Sequence, residues 1–321
     1  LIGVGKETVE AESARAGFVI VTDPRTGEVL AVAQYPPAWK VYAATDPYEP
    51  GSVMKPFILA KALEERFVDL DSPVPLEAGP LLVGGYSIRD AEPMPPGFTW
   101  RDALVHSSNR AFAKLALALG RRRVYEVIRR FGFFSRTDVL VPGEFARRQQ
   151  WTRWRRSRLA NLGMGQGLLV NGFQVAMAYG AIANRGFLLA PRLVLRMERG
   201  GERVELSEPR LVRRVLSPEL AEVLRELLVQ VVEEGTGRAA KVEGVKIAGK
   251  TGTAQKVKEG RYSRDVVSSF VGFFPADRPR WLVYVVVDEP KLHHYGGQVA
   301  APAFRKIALF ILSRRGGGEA I

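Results

Sequence analysis

The sequence predicts a mixed α/β fold of the α+β kind. One antiparallel sheet is closed by both ends of the chain, flanked by helices, with a mainly helical subdomain beside it. Three observations carry this. Two strand-like runs stand near the N-terminus, at residues 18–22 and 28–35. Three more stand near the C-terminus, at 245–256, 266–274 and 281–288. The stretch between reads as several helices without an internal repeat.

Taken in order, residues 5–15 read as the tail of a helix, and Asp23-Pro24-Arg25-Thr26-Gly27 supplies the turn between the first two strands. A Pro-rich loop leads to Glu49-Pro50-Gly51-Ser52-Val53-Met54-Lys55-Pro56, where Pro-Gly suits a tight turn into a helix reaching about residue 66. Pro56 falls early enough to be tolerated in the opening turn. Ile58, Leu59, Ala62 and Leu63 then give a buried stripe at helical spacing. Residues 67–98 are rich in Pro and Gly and read as irregular. Thr99-Trp100-Arg101-Asp102 is a capping box that opens a short helix to residue 105. After Ser107-Ser108-Asn109, an apolar helix over 111–119 closes at Gly120, and a basic helix over 122–131 ends at Gly132.

An Arg- and Trp-rich connection spans 133–162. Its cluster Trp151-Thr152-Arg153-Trp154-Arg155-Arg156 either touches an anionic partner or forms a partly buried loop whose Arg heads reach solvent; the second reading is preferred. Gly163-Met164-Gly165-Gln166-Gly167 is a weak phosphate-loop signal, because no strand clearly feeds it, and it opens onto a helix over 172–185. A hairpin is expected over 188–206 around Gly200-Gly201. Ser217-Pro218-Glu219 starts a helix that runs to Glu234 and stops at Gly235. A last helix spans about 302–312, before a flexible polar tail at 314–321.

Composition narrows the function classes. The chain has 321 residues, 46% hydrophobic and 25% charged, enough for one large globular domain or two small ones. Its net charge of +13 suits an anionic partner, but the basic residues are scattered without a basic-aromatic stripe, which argues against nucleic acid. Without Cys, disulfides, thiolate catalysis and Cys-based metal sites are excluded. With only His106, His293 and His294, a multi-histidine zinc site is not expected. No apolar run reaches the ~18 residues that span a bilayer. The chain starts at Leu1 without a signal peptide, and is expected to be a fragment.

Three short motifs carry chemistry. Ser52-Val53-Met54-Lys55 is the only Ser-x-x-Lys. On a helix the two side chains share one face, with the Ser at the helix mouth where free N–H groups favour negative charge. The pair makes either a nucleophile, the amine taking the hydroxyl proton, or an N-cap beside a solvated lysine. Ser107-Ser108-Asn109 is the only Ser-x-Asn. It offers either a proton relay and an amide anchor, or a helix cap. Lys250-Thr251-Gly252-Thr253 lies within a predicted strand. Its cation and hydroxyls suit a carboxylate, and Gly252 marks either the close approach of a ligand or backbone, or a bulge on an edge strand. A Val at Gly252 is expected to block the site, with little loss of stability if the strand is otherwise regular.

Together, Ser-x-x-Lys, Ser-x-Asn and Lys-Thr-Gly, in this order, resemble the signature of penicillin-binding proteins and serine β-lactamases. The resemblance extends through Glu49 to Ser52, 107–117, 163–167, 250–255 and Tyr295-Gly296-Gly297. It covers nearly all of residues 16–313 and is strongest to class B penicillin-binding proteins. Ser107-Ser108-Asn109, Lys114-Leu115-Ala116-Leu117, and Tyr295-Gly296-Gly297 with Ala301-Pro302 look like the division-type enzymes, with the elongation type as the close alternative.

The resemblance implies residues 1–15 as a remnant of an upstream segment and 16–313 as a transpeptidase domain, with its helical subdomain at roughly 67–187. It implies Ser52 as the nucleophile acylated by a peptidoglycan stem peptide, and Lys55 as its base. An unperturbed lysine is neutral in only roughly one molecule in 2,500 at pH 7, so burial and a neighbouring cation, Lys250, must lower its pKa. Ser107 would relay the proton to the leaving D-alanine and Asn109 would hold the peptide amide. Thr251 and Thr253, beside Gly252, would bind the substrate carboxylate. The backbone N–H groups of Ser52 and Thr253 would form the oxyanion hole. A second stem peptide's amine would complete the cross-link, with no metal or cofactor.

β-Lactams would acylate the same serine. The resemblance also implies anchoring in the cytoplasmic membrane by a segment absent from this chain, with the catalytic domain outside. Through that segment it would meet a polytopic glycan-polymerising enzyme and other division proteins. The rival readings are a D,D-carboxypeptidase, a serine β-lactamase and a non-enzymatic β-lactam sensor.

Overall fold

The computed structural model describes residues 1–200, 202–205 and 208–314. The chain opens with helix α1 (Ile2–Ala11) and the antiparallel strands β1 (Ala16–Thr22) and β2 (Val29–Tyr35). A short helix α2 (Tyr42–Thr45) precedes a 3-10 turn, Gly51–Met54, that runs straight into α3 (Lys55–Glu64). A small hairpin, β3 (Leu81–Val83) and β4 (Tyr86–Ile88), leads to α4 (Trp100–Val105) and α5 (Asn109–Arg130). Next come α6 (Arg156–Gly163) and α7 (Gly172–Ala183). Four short strands follow: β5 (Phe187–Leu189), β6 (Arg196–Arg199), β7 (Glu202–Glu205) and β8 (Leu211–Arg214). Helix α8 (Pro218–Glu233) precedes β9 (Ala248–Lys258), β10 (Arg261–Phe274) and β11 (Trp281–Asp288), and α9 (Gly296–Ser313) closes the fold.

The main sheet has the order β2-β1-β11-β10-β9, antiparallel throughout, so the two chain ends meet where β1 pairs with β11. Successive side chains of a strand point to opposite faces. Phe18 and Ile20 of β1, with Tyr284 and Val286 of β11, enter a core shared with α3, α5, α7 and α8. Val19 and Val21, with Val283, Val285 and Val287, enter a second core beneath α9. Both faces are covered, which is why these strands read as continuous apolar runs.

The helix that carries the Ser-x-x-Lys motif is fixed from inside. Phe57 packs its ring 4.5 Å from Phe131, 5.3 Å from Tyr179 and 5.4 Å from Phe133. The Tyr179 hydroxyl donates to the carbonyl of Val53 at 2.8 Å, tying the 3-10 turn to α7. Tyr48 and Tyr284 join hydroxyls at 2.8 Å across the same core.

Several boundaries differ from the sequence reading. Ser52 lies in a 3-10 turn, with the α-helix starting at Lys55. Residues 67–98 contain the β3–β4 hairpin as well as irregular chain. The break at Gly120 falls as expected: its φ of 78° and ψ of 166° interrupt α5 between the apolar and basic halves. The last helix begins at Gly296, with Pro302 inside it, because the chain turns into α9 directly after Tyr295. The expected hairpin forms between β6 and β7, while Gly201 lies outside the described residues, as does the tail from residue 315 onward. No helix among the described residues is long and apolar enough to cross a membrane.

Candidate active site

The site lies where the Gly51–Met54 turn, the α4–α5 corner and strand β9 meet. Ser52 is half-buried on the turn, at the mouth of α3. Its neighbour Gly51 has φ +61°, and a Cβ there would sit 2.7 Å from the Thr253 carbonyl oxygen. On the other side the Gly51 N–H donates to the Gly165 carbonyl at 3.0 Å. A Cβ on Gly165 would sit 1.9 Å from the Gly51 oxygen. The Gly163–Gly167 stretch therefore seats the Ser52 turn, with Gly165 giving the close backbone approach.

Ser107 stands at the apex of the α4–α5 corner with φ +61°, a conformation usually left to Gly after a helix end. The Ser107 N–H donates to Leu104 O and the Ser108 N–H to Ala103 O, the paired bonds that close such a helix end. Ser108 then caps α5 through Ala111 N. Its hydroxyl also donates to Asp90 Oδ1 at 2.9 Å, an oxygen that accepts the Arg110 N–H as well. A strained residue held this firmly is a common companion of function.

Two lysines converge on the Ser107 hydroxyl. Lys55 Nζ lies 3.1 Å from Ser107 Oγ, 2.6 Å from Ser107 O and 2.8 Å from Asn109 Oδ1. Lys250 Nζ lies 2.9 Å from Ser107 Oγ, 3.2 Å from Thr251 O and 3.3 Å from Thr251 Oγ1. Both lysines are fully buried. Burial pushes the Lys55 amine well below its usual pKa, the Lys250 charge pushes it further, and Asp90 opposes both. Burial alone brings Lys250 down to about 7.

Donor counting fits a single charge on the pair. A charged Lys250 has three N–H donors for its three acceptors. A neutral Lys55 has two, for Ser107 O and Asn109 Oδ1, and a lone pair that can take the proton of the Ser107 hydroxyl. Among the described residues Lys55 Nζ has no hydrogen bond to Ser52, so taking the Ser52 proton requires it to exchange a partner.

Of the remaining motif residues, Asn109 opens α5 and Thr251, Gly252 and Thr253 lie along β9, the edge strand of the sheet. Asn109 is engaged at both ends, since its Nδ2 donates to Arg89 O at 3.2 Å, which leaves one amide N–H free for a ligand. Thr253 is half-buried, and its hydroxyl accepts the Gly296 N–H at 3.0 Å, keeping its own proton to donate. Thr251 is buried, with its hydroxyl 2.7 Å from that of Thr236. A Cβ on Gly252 would lie 2.3 Å from Ser269 Oγ and 3.0 Å from both Pro50 O and Val53 Cγ1. This corrects the expectation that a side chain at Gly252 is cheap for the fold: the Ser269 hydroxyl of β10 stands in its place, with Pro50 and Val53 at the Ser52 turn close behind.

Sequence reasoning missed Thr236 and Asp90. For Thr236 the signal is its frame, Gly235-Thr236-Gly237. A Cβ on Gly235 would meet Val105 O at 2.3 Å, and one on Gly297 would meet Thr236 O at 2.6 Å. Asp90 sits in the Pro- and Gly-rich stretch and carries no local signal. The Arg/Trp cluster follows the preferred reading, with Trp154 buried and Arg153, Arg155 and Arg156 exposed.

Comparison with known proteins agrees with this fold. Residues 17–309 match the family model of the penicillin binding protein transpeptidase domain. The chain belongs to the penicillin-binding protein transpeptidase family. It is 37% identical over 317 residues to the "probable peptidoglycan D,D-transpeptidase PenA" of Neisseria gonorrhoeae, covering 94% of this chain and 52% of that protein. It is 35% identical over 318 residues to the stage V sporulation protein D of Bacillus subtilis, covering 92% of this chain and 49% of that one. The chain thus spans about half the length of these relatives.

Among solved structures, the transpeptidase domain of Burkholderia pseudomallei penicillin-binding protein 3 superimposes with a TM-score of 0.87 at 34% identity, covering 99% of this chain and 94% of that one. Penicillin-binding protein 3 of Mycobacterium tuberculosis, complexed with aztreonam, gives 0.89 at 30% identity, covering 100% and 77%.

Two outcomes follow from the site geometry. Acylation by a β-lactam should rise with pH as Lys55 loses its proton and fall above about 7 as Lys250 loses its own. A stopped-flow rate that climbs steadily to pH 10 would show that the charge of Lys250 is not needed. Gly252→Val should abolish acylation and also cost about 2 kcal/mol of stability or more, read by denaturant unfolding. A fully stable Val variant would contradict the close approach of Pro50.

Proposed function

We propose that this chain is a serine D,D-transpeptidase domain that cross-links peptidoglycan stem peptides, and that residues 16–313 form it, with the helical part at roughly 67–187. The observation that carries the reading is the convergence of Lys55 and Lys250 on Ser107 Oγ, beside Ser52 and the β9 edge. Ser52 Oγ attacks the carbonyl carbon that joins the two terminal D-alanines of a donor stem, and its proton passes to Lys55. The oxyanion is held by the N–H groups of Ser52 and Thr253. Ser107 hands a proton to the departing D-alanine amine as the C–N bond breaks, and Lys55 resupplies it. An acceptor stem's amine then attacks the ester, releasing Ser52 and forming the cross-link.

Binding follows the same parts. The edge of β9 can take an extended peptide as an added strand. The Thr253 hydroxyl, with Thr251 and the Lys250 charge behind it, suits the terminal carboxylate. Asn109 offers its free amide N–H to the donor backbone. β-Lactams enter as mimics of the donor. The family further supports membrane anchoring through a segment outside this chain, an extracytoplasmic catalytic domain, and partnership with a glycan-polymerising membrane enzyme. The motifs around Ser107 and Tyr295 favour a division role.

Penicillin should label Ser52 stoichiometrically, and the adduct should persist for minutes to hours, since no carboxylate lies within the three motifs to activate water. Intact mass against time checks this, with Ser52→Ala as the unlabelled control. Adduct loss within seconds, with many turnovers of the drug, would make the protein a β-lactamase. Release of D-alanine without cross-linking when an acceptor amine is present would make it a carboxypeptidase.

Depleting the protein in its host should give filaments or failed septa. Swollen round cells that still divide would assign it to elongation.

A further inference from the structure

We propose that Glu49 is a positioning residue that straps the β9–β10 hairpin to the Ser52 turn through Tyr262, and so sets the width of the oxyanion pocket. This rests on the transpeptidase reading above and adds a residue to it. Glu49 lies three positions before Ser52 and is half-buried. Its carboxylate accepts the Tyr262 hydroxyl at 3.2 Å and faces the backbone of Gly167, which helps to hold its pKa down. Arg158 donates to the Gly167 carbonyl at 3.1 Å and holds that residue in place. One carboxylate therefore joins the approach to Ser52 to the hairpin across the cleft, and lies against the glycine-rich seat beneath them.

The need for a strap follows from the hairpin's other bonds. Lys256 reaches Asp288 and Glu289, and Lys291 reaches Asp265, all on the sheet side. Among the described residues, Glu49–Tyr262 is the only hydrogen bond from hairpin residues 255–265 to the Ser52 side of the cleft. Tyr262 stands opposite Val257 in the β9–β10 pairing, four positions along β9 from Thr253. The two oxyanion donors lie on different segments, Ser52 on the turn and Thr253 on β9. Their separation near Gly51 is set by contact, but the outer hairpin is free to lean except through this bond.

Burial raises the Glu49 pKa, with the Gly167, Tyr262 and Arg158 contacts opposing it. Keeping a carboxyl here therefore costs the fold something that its contacts must offset. A side chain placed for packing alone would not need the carboxylate.

The test measures β-lactam acylation of the whole chain, separating the drug's dissociation constant from the acylation rate constant by stopped flow, with Tm alongside. Tyr262→Phe removes one half-exposed hydroxyl and leaves the fold intact. Both it and Glu49→Ala should slow acylation about tenfold, as expected for a small misplacement of reacting groups, with the dissociation constant changed less than twofold. The double variant should be no slower than the slower single, because both break one bond.

Glu49→Gln should restore most of the rate, since an amide can accept from Gly167 and donate to Tyr262. Unchanged acylation in Tyr262→Phe, a loss carried by the dissociation constant, multiplied losses in the double, or a Gln variant as slow as Ala would each overturn the proposal. A wild-type chain that forms no Ser52 adduct would instead overturn the transpeptidase reading itself.

Discussion

Everything at this site depends on holding two amines against one hydroxyl where water cannot reach them. A buried ammonium loses its hydration, and two near each other also repel. The fold does not relieve this by opening the site. It places Lys55 at the head of a helix whose Phe57 is locked among Phe131, Phe133 and Tyr179, and Lys250 on β9, where it is fully buried. Both effects push the pair towards releasing a proton. On the reading proposed above, that loss would create the base a serine nucleophile requires, so the same desolvation that costs stability would supply the chemistry. The strained φ of Ser107 belongs to this arrangement: it turns the corner between α4 and α5 so that one hydroxyl faces both amines.

A second constraint is the spacing of backbones. The Ser52 turn lies between the Gly163–Gly167 seat and β9, with no room for a Cβ on Gly51, Gly165 or Gly252. These positions are far apart in sequence and adjacent in space. Any side chain between them would push Ser52 away from Thr253, and with them the two N–H groups proposed as oxyanion donors. Glycine here sets a distance, and only at Gly51 and Gly165 does it also supply a left-handed turn.

Much of this was legible in the sequence because it is local. Strands β1, β2, β10 and β11 hold apolar runs bounded by turn residues, and their distribution at both chain ends, with the Lys-Thr-Gly strand beside them, foretold the sheet. The cap at Thr99 forms with Asp102 as its spacing requires. The start of α9 was misread because Pro302 suits a first helical turn, whereas the chain enters the helix at Gly296. The β3–β4 hairpin is three residues a side and too short to show periodicity. At the site, the three motifs named the residues that converge. Their supports were hidden because each acts across the fold. Asp90 reaches Ser108 from an irregular loop, Thr236 meets Thr251 from beyond a helix, and Glu49 meets Tyr262 from 213 positions away.

The edge strand joins the chemistry to the problem of staying soluble. A peptide-binding site of this kind needs an open row of backbone donors and acceptors, and such a row invites pairing with another copy. The inner part of β9 is shielded by the Gly51–Met54 turn and by Gly296, which approach Thr253 and Gly252 so closely that neither glycine could carry a side chain. The outer part carries Lys256 and Lys258, whose charges are matched by Asp265, Asp288 and Glu289 of the same sheet rather than left for a neighbour. Between them Thr253 keeps partial exposure, while Thr251, Gly252 and Ala254 are buried. A small free edge beside a serine favours the end of a peptide over its middle, which is where a terminal carboxylate and a scissile bond one residue away would both be found.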